Sequence, residues 1–146
     1  MLASVTRLRV RSFLHLPAFL WRTFLAQRQT IRADGFFGGK LLVDAKRTYW
    51  TLTLWRDEKA MKAFRGSGAH AQVMPLLAKW CDEAAYTHWT SENDSVPDWS
   101  EAYERLVSDG RLSRVPNPSP DHETHHFPKP RLQPLIGRNL KPKNRK

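Results

Sequence analysis

The chain has 146 residues and 17.0 kDa, room for one domain with a real core and too little for two. Lys and Arg exceed Asp and Glu by 24 to 14, a net charge of +10. The single cysteine, Cys81, excludes an intramolecular disulfide framework and any cysteine-based zinc site within one chain. No apolar run approaches the ~20 residues of a membrane span, so no membrane partner is expected.

The first thirty-three residues carry six arginines, no lysine and no acid. With Ser4, Thr6 and Ser12 this imitates a mitochondrial transit peptide. However, the segment also has the periodicity of body elements and lacks a secretory signal's cleavage pattern, so the cytoplasm is the expected location. Val5 to Leu14 alternates with period two, placing Leu8, Val10 and Leu14 on one face and Arg7, Arg9 and Arg11 on the other. Pro17 suits the first turn of a helix, with Phe19, Leu20 and Phe24 at helical spacing. Ala33-Asp34-Gly35 stops that helix.

Phe36 to Asp44 is a second strand, and Gly38-Gly39 within it predicts a bulge or a close backbone approach. Thr48 to Arg56 is a third strand. Three connecting residues cannot span a parallel crossover, so the two form a hairpin. Asp57 caps a short helix through Phe64. Gly66-Ser67-Gly68 interrupts it, and a longer helix runs from Ala69 to about Asp82, where Pro75 requires a kink or a fresh start. Ala84 to Thr90 is a fourth strand, and Trp99 to Ser108 a terminal helix.

This order predicts an α+β fold: a ferredoxin-like βαββαβ unit with a four-stranded antiparallel sheet and both helices on one face. With the Leu and Val positions facing the helices, the free face receives Arg7, Arg9, Arg11, Lys40, Thr51, Thr53 and Trp55. Either Tyr86 and His88 or Thr87 and Trp89 join them. A face so rich in aromatics predicts a homodimer or a lined cavity.

Residues 1–112 form the expected domain, and residues 113–146 an extended or disordered basic, Pro-rich tail. The tail holds eight Lys or Arg against Asp121 and Glu123, and seven of the ten prolines. It is expected to contribute little to core stability. A basic tail suits phosphate contacts, yet it offers only Phe127 for stacking, so nucleic acid is not the expected partner.

The stretches Thr51-Leu52-Thr53-Leu54-Trp55, Ala60-Met61-Lys62-Ala63-Phe64 and Ser67-Gly68-Ala69-His70, with Trp80, resemble the dimeric α+β barrel superfamily. Within it the chain is similar to antibiotic-biosynthesis-monooxygenase-like bacterial proteins and, more distantly, to spheroidene monooxygenase. The motifs span residues 48–90, and the element order extends the resemblance over residues 5–90. The resemblance implies sheets paired across a two-fold axis and a cavity between sheet and helices. It also implies that Trp55, Phe64 and His70 occupy matching positions; haem and a cofactor-free site are equally compatible with it.

His70, at a helix N-terminus, suits a general base or haem ligand, or equally a capping and packing histidine. Arg9, with Arg7 and Arg11, suits a clamp for an acidic group, a solvated face or dimer salt bridges. Trp55 and Phe64 are the expected ligand-binding aromatics. His122, His125 and His126 suit adventitious metal binding, and no metal site is assigned. Cys81 reads as a buried structural thiol. No phosphate loop, dinucleotide fingerprint or nucleophile elbow is present.

Three functions follow. The first is a monooxygenase-like enzyme acting on an apolar or aromatic small molecule, with His70 as base or ligand, Trp55 shaping the pocket and Arg9 orienting an acidic group. The second is a non-catalytic ligand-binding or protein-interaction module. The third is nucleic-acid binding through the tail. A cavity lined by His70 and Trp55 distinguishes the first from the second.

Overall fold

The computed structural model describes residues 1–131 and 137–143. Pro134, Arg145 and Lys146, counted above in the tail, lie outside the described residues.

Alternation at the N-terminus yields β1 (Leu2–Val10), which starts and ends earlier than the pattern alone predicts. The strand stops because the Arg11 N–H turns to the Trp80 carbonyl (2.8 Å). Ser12 Oγ then accepts from the Leu14 N–H (3.2 Å) and opens a 3-10 turn, Phe13–His15. α1 (Leu16–Thr30) follows, with Pro17 in its first turn. β2 (Phe36–Asp44) and β3 (Thr48–Trp55) form the expected antiparallel hairpin, bulged between Phe36 and Gly38. Gly39 is the close approach, since a Cβ there would lie 2.7 Å from the Leu52 carbonyl oxygen.

Asp57 caps α2 (Glu58–Arg65), accepting from the Ala60 N–H at 2.8 Å. α3 (Gly68–Trp80) runs through Pro75 as one helix and leads directly into β4 (Cys81–Thr90). α4 (Trp99–Asp109) is capped by Asp98. Beyond it come β5 (Arg111–Leu112), α5 (Pro120–Glu123) and β6 (Gly137–Leu140).

Among the described residues the sheet has six antiparallel strands in the order β5-β4-β1-β3-β2-β6. The inner four keep the ferredoxin-like order; the expected four-stranded sheet is corrected to six. Residues after α4 supply both additions, Leu112 pairing with Ala85 and Leu140 with Gly39. Each short strand covers an edge that would otherwise leave backbone N–H and C=O groups unpaired.

Register corrects the face assignment as well. Ser4, Thr6 and Leu8 stand opposite Thr53, Thr51 and Tyr49 on one side, and His88, Tyr86 and Ala84 on the other. Directly opposed residues share a face, so Thr51, Thr53 and Trp55 belong to the side of α1 and α3. The reverse face carries Ala3, Val5 and Arg7 of β1, Trp50, Leu52 and Leu54 of β3, and Thr87 and Trp89 of β4. Taking every Leu as helix-facing failed because the sheet has a core on each side.

That reverse face is covered by the chain itself. Ala102 and Leu106 of α4 pack with Val5, Trp50, Leu52, Leu54 and Phe127 into the larger core. Part of the segment after residue 113 is anchored here through the buried Ser119, His122 and Phe127, while the buried Val115 and Leu140 lie on the helix side of the sheet. Glu83 Oε2 accepts from Arg7 Nη1 (2.6 Å), while Glu83 Oε1 accepts from Arg9 Nη1 (3.0 Å) and Ser119 Oγ (2.7 Å). His122 Nδ1 accepts from the Ala84 N–H (3.3 Å), and the Arg7 guanidinium lies 5.7 Å from the Trp50 ring and 5.8 Å from that of Phe127. Among the described residues, then, part of the segment expected to be an extended tail packs against the body. The sheet face expected to meet a second copy lies beneath α4 and residues 119–127. Among the described residues, no helix is long and apolar enough to cross a membrane.

Candidate functional site

Between the sheet and the helices lies a cavity of about 350 Å³. Its floor is the helix-side face of the three central strands: Ser4 and Thr6 of β1, Thr51, Thr53 and Trp55 of β3, and Tyr86 and His88 of β4. Helices α1 and α3 supply Thr23, Ala26, Val73 and Leu77, which close it with apolar surface. It exists because small and hydroxyl-bearing residues stand at the middle of those strands, where larger side chains would meet the helices.

One wall is an aromatic row. The Trp55 and Phe64 rings stack with centroids 5.0 Å apart, and the Phe64 ring lies 4.7 Å from the His70 imidazole. Trp55 Nε1–H donates to Thr53 Oγ1 (2.9 Å), which satisfies a buried indole and sets the ring's orientation. Phe36 packs against the far side of Trp55, with centroids 5.3 Å apart. The three residues matched by family resemblance thus stand side by side on the cavity wall.

Two backbone contacts hold His70. Its N–H donates to Gln29 Oε1 (2.8 Å), so α1 anchors the start of α3. Its Nδ1 lies 3.3 Å from the Arg65 carbonyl oxygen. A carbonyl can only accept, so this contact makes Nδ1 the protonated nitrogen and leaves the lone pair on Nε2. Burial lowers the imidazole pKa below its ordinary 6.5, outweighing the hydrogen bond to the Arg65 carbonyl, which raises it; the Arg65 charge lowers it further. The ring is neutral at pH 7.

The lining has a one-sided electrostatic character. Among the described lining residues none is Asp or Glu, whereas Arg65, from the end of α2, and Arg114, just after β5, are both exposed cations on the wall. The Arg65 guanidinium lies 5.8 Å from the Tyr86 ring. His88 Nε2 is 3.9 Å from Glu58 Oε1, a carboxylate outside the lining.

Arg9 requires correction. It lies on the opposite face of β1, bonded to Glu83 and 3.6 Å from Asp82 Oδ1, and takes no part in the cavity. The reason is parity: in β1 the even positions face the helices and the arginines are odd. Tyr86, His88, Arg65 and Arg114 are the lining residues that sequence reasoning missed. Period-two alternation offered Tyr86 and His88 as one of two sets, and only the pairing of β4 with β1 selects it. No local signal brings Arg65 and Arg114 together.

The histidines of the tail do not converge. His122 is buried and bonded to backbone, while His125 and His126 are exposed. Among the described residues, no group of three or more His, Cys, Asp or Glu is placed to hold a metal ion. Cys81 is buried, and burial pushes its thiol up to about 12, so it is an unreactive core group.

A family model described as "Domain of unknown function (DUF3291)" matches residues 13–112. No curated protein matches the chain. Solved structures show the same fold at low identity. One described as an antibiotic biosynthesis monooxygenase matches with a TM-score of 0.57 at 14% identity, covering 64% of this chain and 100% of the other. Rv0793 from Mycobacterium tuberculosis matches at 0.57 with 17% identity, over 63% of this chain and 95% of its own. SnoaB from Streptomyces nogalater, described as a cofactor-independent oxygenase, matches at 0.52 with 18% identity, over 66% and 97%. The chain shares the antibiotic-biosynthesis-monooxygenase-like fold with these proteins.

Proposed function

The chain belongs to the DUF3291 family, and we propose that it is a small oxygenase acting on an apolar or aromatic molecule that bears an acidic group. The observation that carries this reading is the cavity itself: apolar walls, the Trp55–Phe64–His70 row, and two arginines with no lining carboxylate. The structural likeness to an oxygenase described as cofactor-independent supports it. A cavity filled by side chains would have favoured a non-catalytic module.

Each part has a physical role. The aromatic row gives a flat substrate a stacking surface while excluding water. Arg65 and Arg114 take the part expected of Arg9, orienting a carboxylate or phenolate. His70 Nε2, unprotonated at neutral pH, removes a proton from an acidic C–H or O–H of the substrate. Thr51 and Tyr86 offer hydroxyl groups to the oxygen on which the negative charge develops. Electrons then come from the substrate anion and dioxygen accepts them: a CH2 group becomes a carbonyl, and the second oxygen atom leaves as water. That balance requires no external reductant.

Oxygen consumption across a panel of acidic, polycyclic phenols tests this, with wild type compared to His70→Gln. Turnover is expected in the wild type and a fall of roughly 10²-fold or more in the variant, the scale of a lost general base. Unchanged binding with no turnover by either protein would sustain the binding-module reading. The freshly purified protein is expected to show no Soret band, and a Soret band would replace the cofactor-free reading with a haem one.

A further inference from the structure

The side of α1 turned away from the cavity is not the polar surface that a helix packed on a sheet ordinarily presents. Phe19, Ala26 and Thr30 face inward and are buried. Yet Leu14 is 88% exposed, Phe13 71%, Trp21 60% and Phe24 42%, and Leu20 and Met74 of α3 are exposed beside them. Positions 13, 17, 20, 21 and 24 recur at helical spacing, so they form one stripe along the 3-10 turn and α1. The Trp21 and Phe24 rings stack with centroids 6.0 Å apart.

Charge around the stripe has a single sign. Residues 1–33 and 66–81, which include all of α1 and α3, contain no Asp or Glu. Arg11, Arg22, Arg28 and Arg32 belong to this segment, and among the described residues none of the four is paired with a carboxylate. From the neighbouring hairpin, the Arg47 guanidinium sits 4.6 Å from the Phe13 ring. Exposed Trp, Phe and Leu flanked by Arg is the composition of a helix lying at a lipid–water interface, where long cationic side chains reach the headgroups while the rings enter the acyl boundary.

We infer that the outer face of α1, with Phe13 and Leu14, docks on an anionic lipid bilayer. A second copy seated there across a two-fold axis would set arginines against arginines, with no carboxylate on either helix to relieve them. Stacked nucleic-acid bases would use Trp21 and Phe24 but gain little from Leu14, Leu20 and Met74, which hydrocarbon receives well. Met74 both lines the cavity and belongs to the exposed patch. Docking therefore sets the cavity close to the bilayer, from which an apolar compound can enter. The inference stands on the outer surface and does not depend on the reaction proposed for the cavity.

Vesicle co-sedimentation of the full chain tests it, using phosphatidylcholine vesicles with and without about one-third phosphatidylglycerol. Binding is expected on the anionic vesicles, weaker on the neutral ones, and declining with salt. The double variants Trp21→Ala with Phe24→Ala, and Arg22→Glu with Arg28→Glu, are each expected to lose roughly tenfold in vesicle affinity. Melting temperature should stay within a few degrees for the arginine variant, whose side chains are in no ion pair among the described residues, and fall modestly for the alanine variant, because the Phe24 ring is more than half covered. Absence of binding to anionic vesicles, or binding that neither variant alters, would overturn the inference. So would a dimer that the alanine variant converts to monomer, which would assign the face to a second copy. Binding to oligothymidylate in place of vesicles would assign it to nucleic acid.

Discussion

At Lys46 and Arg47 the hairpin backbone turns through φ of +57° and +59°, a region that L-residues other than Gly enter at a cost. Arg47 recovers part of that cost by donating from Nε to the Val10 carbonyl (3.0 Å) and lying over Phe13. Lys46 makes no such contact, so Lys46→Gly is expected to raise stability by about 1 kcal/mol in thermal unfolding. Gly39→Ala should act in the opposite sense, since its Cβ would meet backbone rather than a movable side chain. His70 carries a pH signature. Its pKa lies below 6.5 in the folded protein, mainly through burial, so the acid limb of kcat/KM should fall below that value. Stability shares this direction: as pH drops below 6.5 the unfolded chain takes up the proton first, and the native state loses ground until the folded pKa is passed. His70→Gln should remove this contribution, which urea titrations at two pH values would show.

Among the elements, β1 and β4 meet the segment leading into α5 through a buried charged cluster, Arg7, Arg9 and Ser119 around Glu83. Burial alone would raise the Glu83 pKa, but hydrogen bonds from Ser119 and Arg7, with the charges of Arg7 and Arg9, hold it below its usual 4.5. A depressed carboxylate contributes stability that is present above 4.5 and lost as pH falls through the folded value. Asp82 beside it is raised, chiefly by burial, and works in the opposite sense. Glu83→Ala would leave Arg7 buried without its counter-charge, a loss of about 3–5 kcal/mol. Urea unfolding at pH 7 would measure it, and Glu83→Gln, which keeps an acceptor for Ser119, should cost less.

For the molecule as a whole, the C-terminal segment decides which surfaces exist. Its Phe127 completes the core beneath the sheet, His122 bonds the backbone of β4, Val115 lines the cavity, and Leu140 joins the cluster around Trp55 and Met61. Loss of the Phe127 ring alone should cost about 3–5 kcal/mol. Truncation after Leu112 is therefore expected to lower the melting temperature by more than about 5 °C and, with α4 still in place, to uncover the part of the face around Arg7 and Glu83 that Phe127 and Ser119 cover. Sedimentation of the truncated chain should then show self-association through that face, and a monomer that melts like the full chain would contradict the assignment.

Period, capping and breaker residues lay within a few positions of each other along the chain, and so they were readable without a structure. They gave the four inner strands, α1 to α4, the hairpin and the Asp57 cap, but neither the 3-10 turn nor α5. Trp55, Phe64 and His70 were legible because their motif is local, spanning sixteen residues. What alternation cannot supply is which of two faces a strand presents to which neighbour, because a period of two is symmetric between them. Pairing settled that, sending Thr51 and Thr53 to the cavity and Arg9 to Glu83. The tail is the clearest case: its prolines and charges read as solvated chain, since burial of Phe127 and His122 depends on partners twenty to more than a hundred residues away, from Leu106 to Arg7. Local composition constrains the backbone's conformations, whereas long-range packing selects the surface each residue meets, and only the folded chain contains that information.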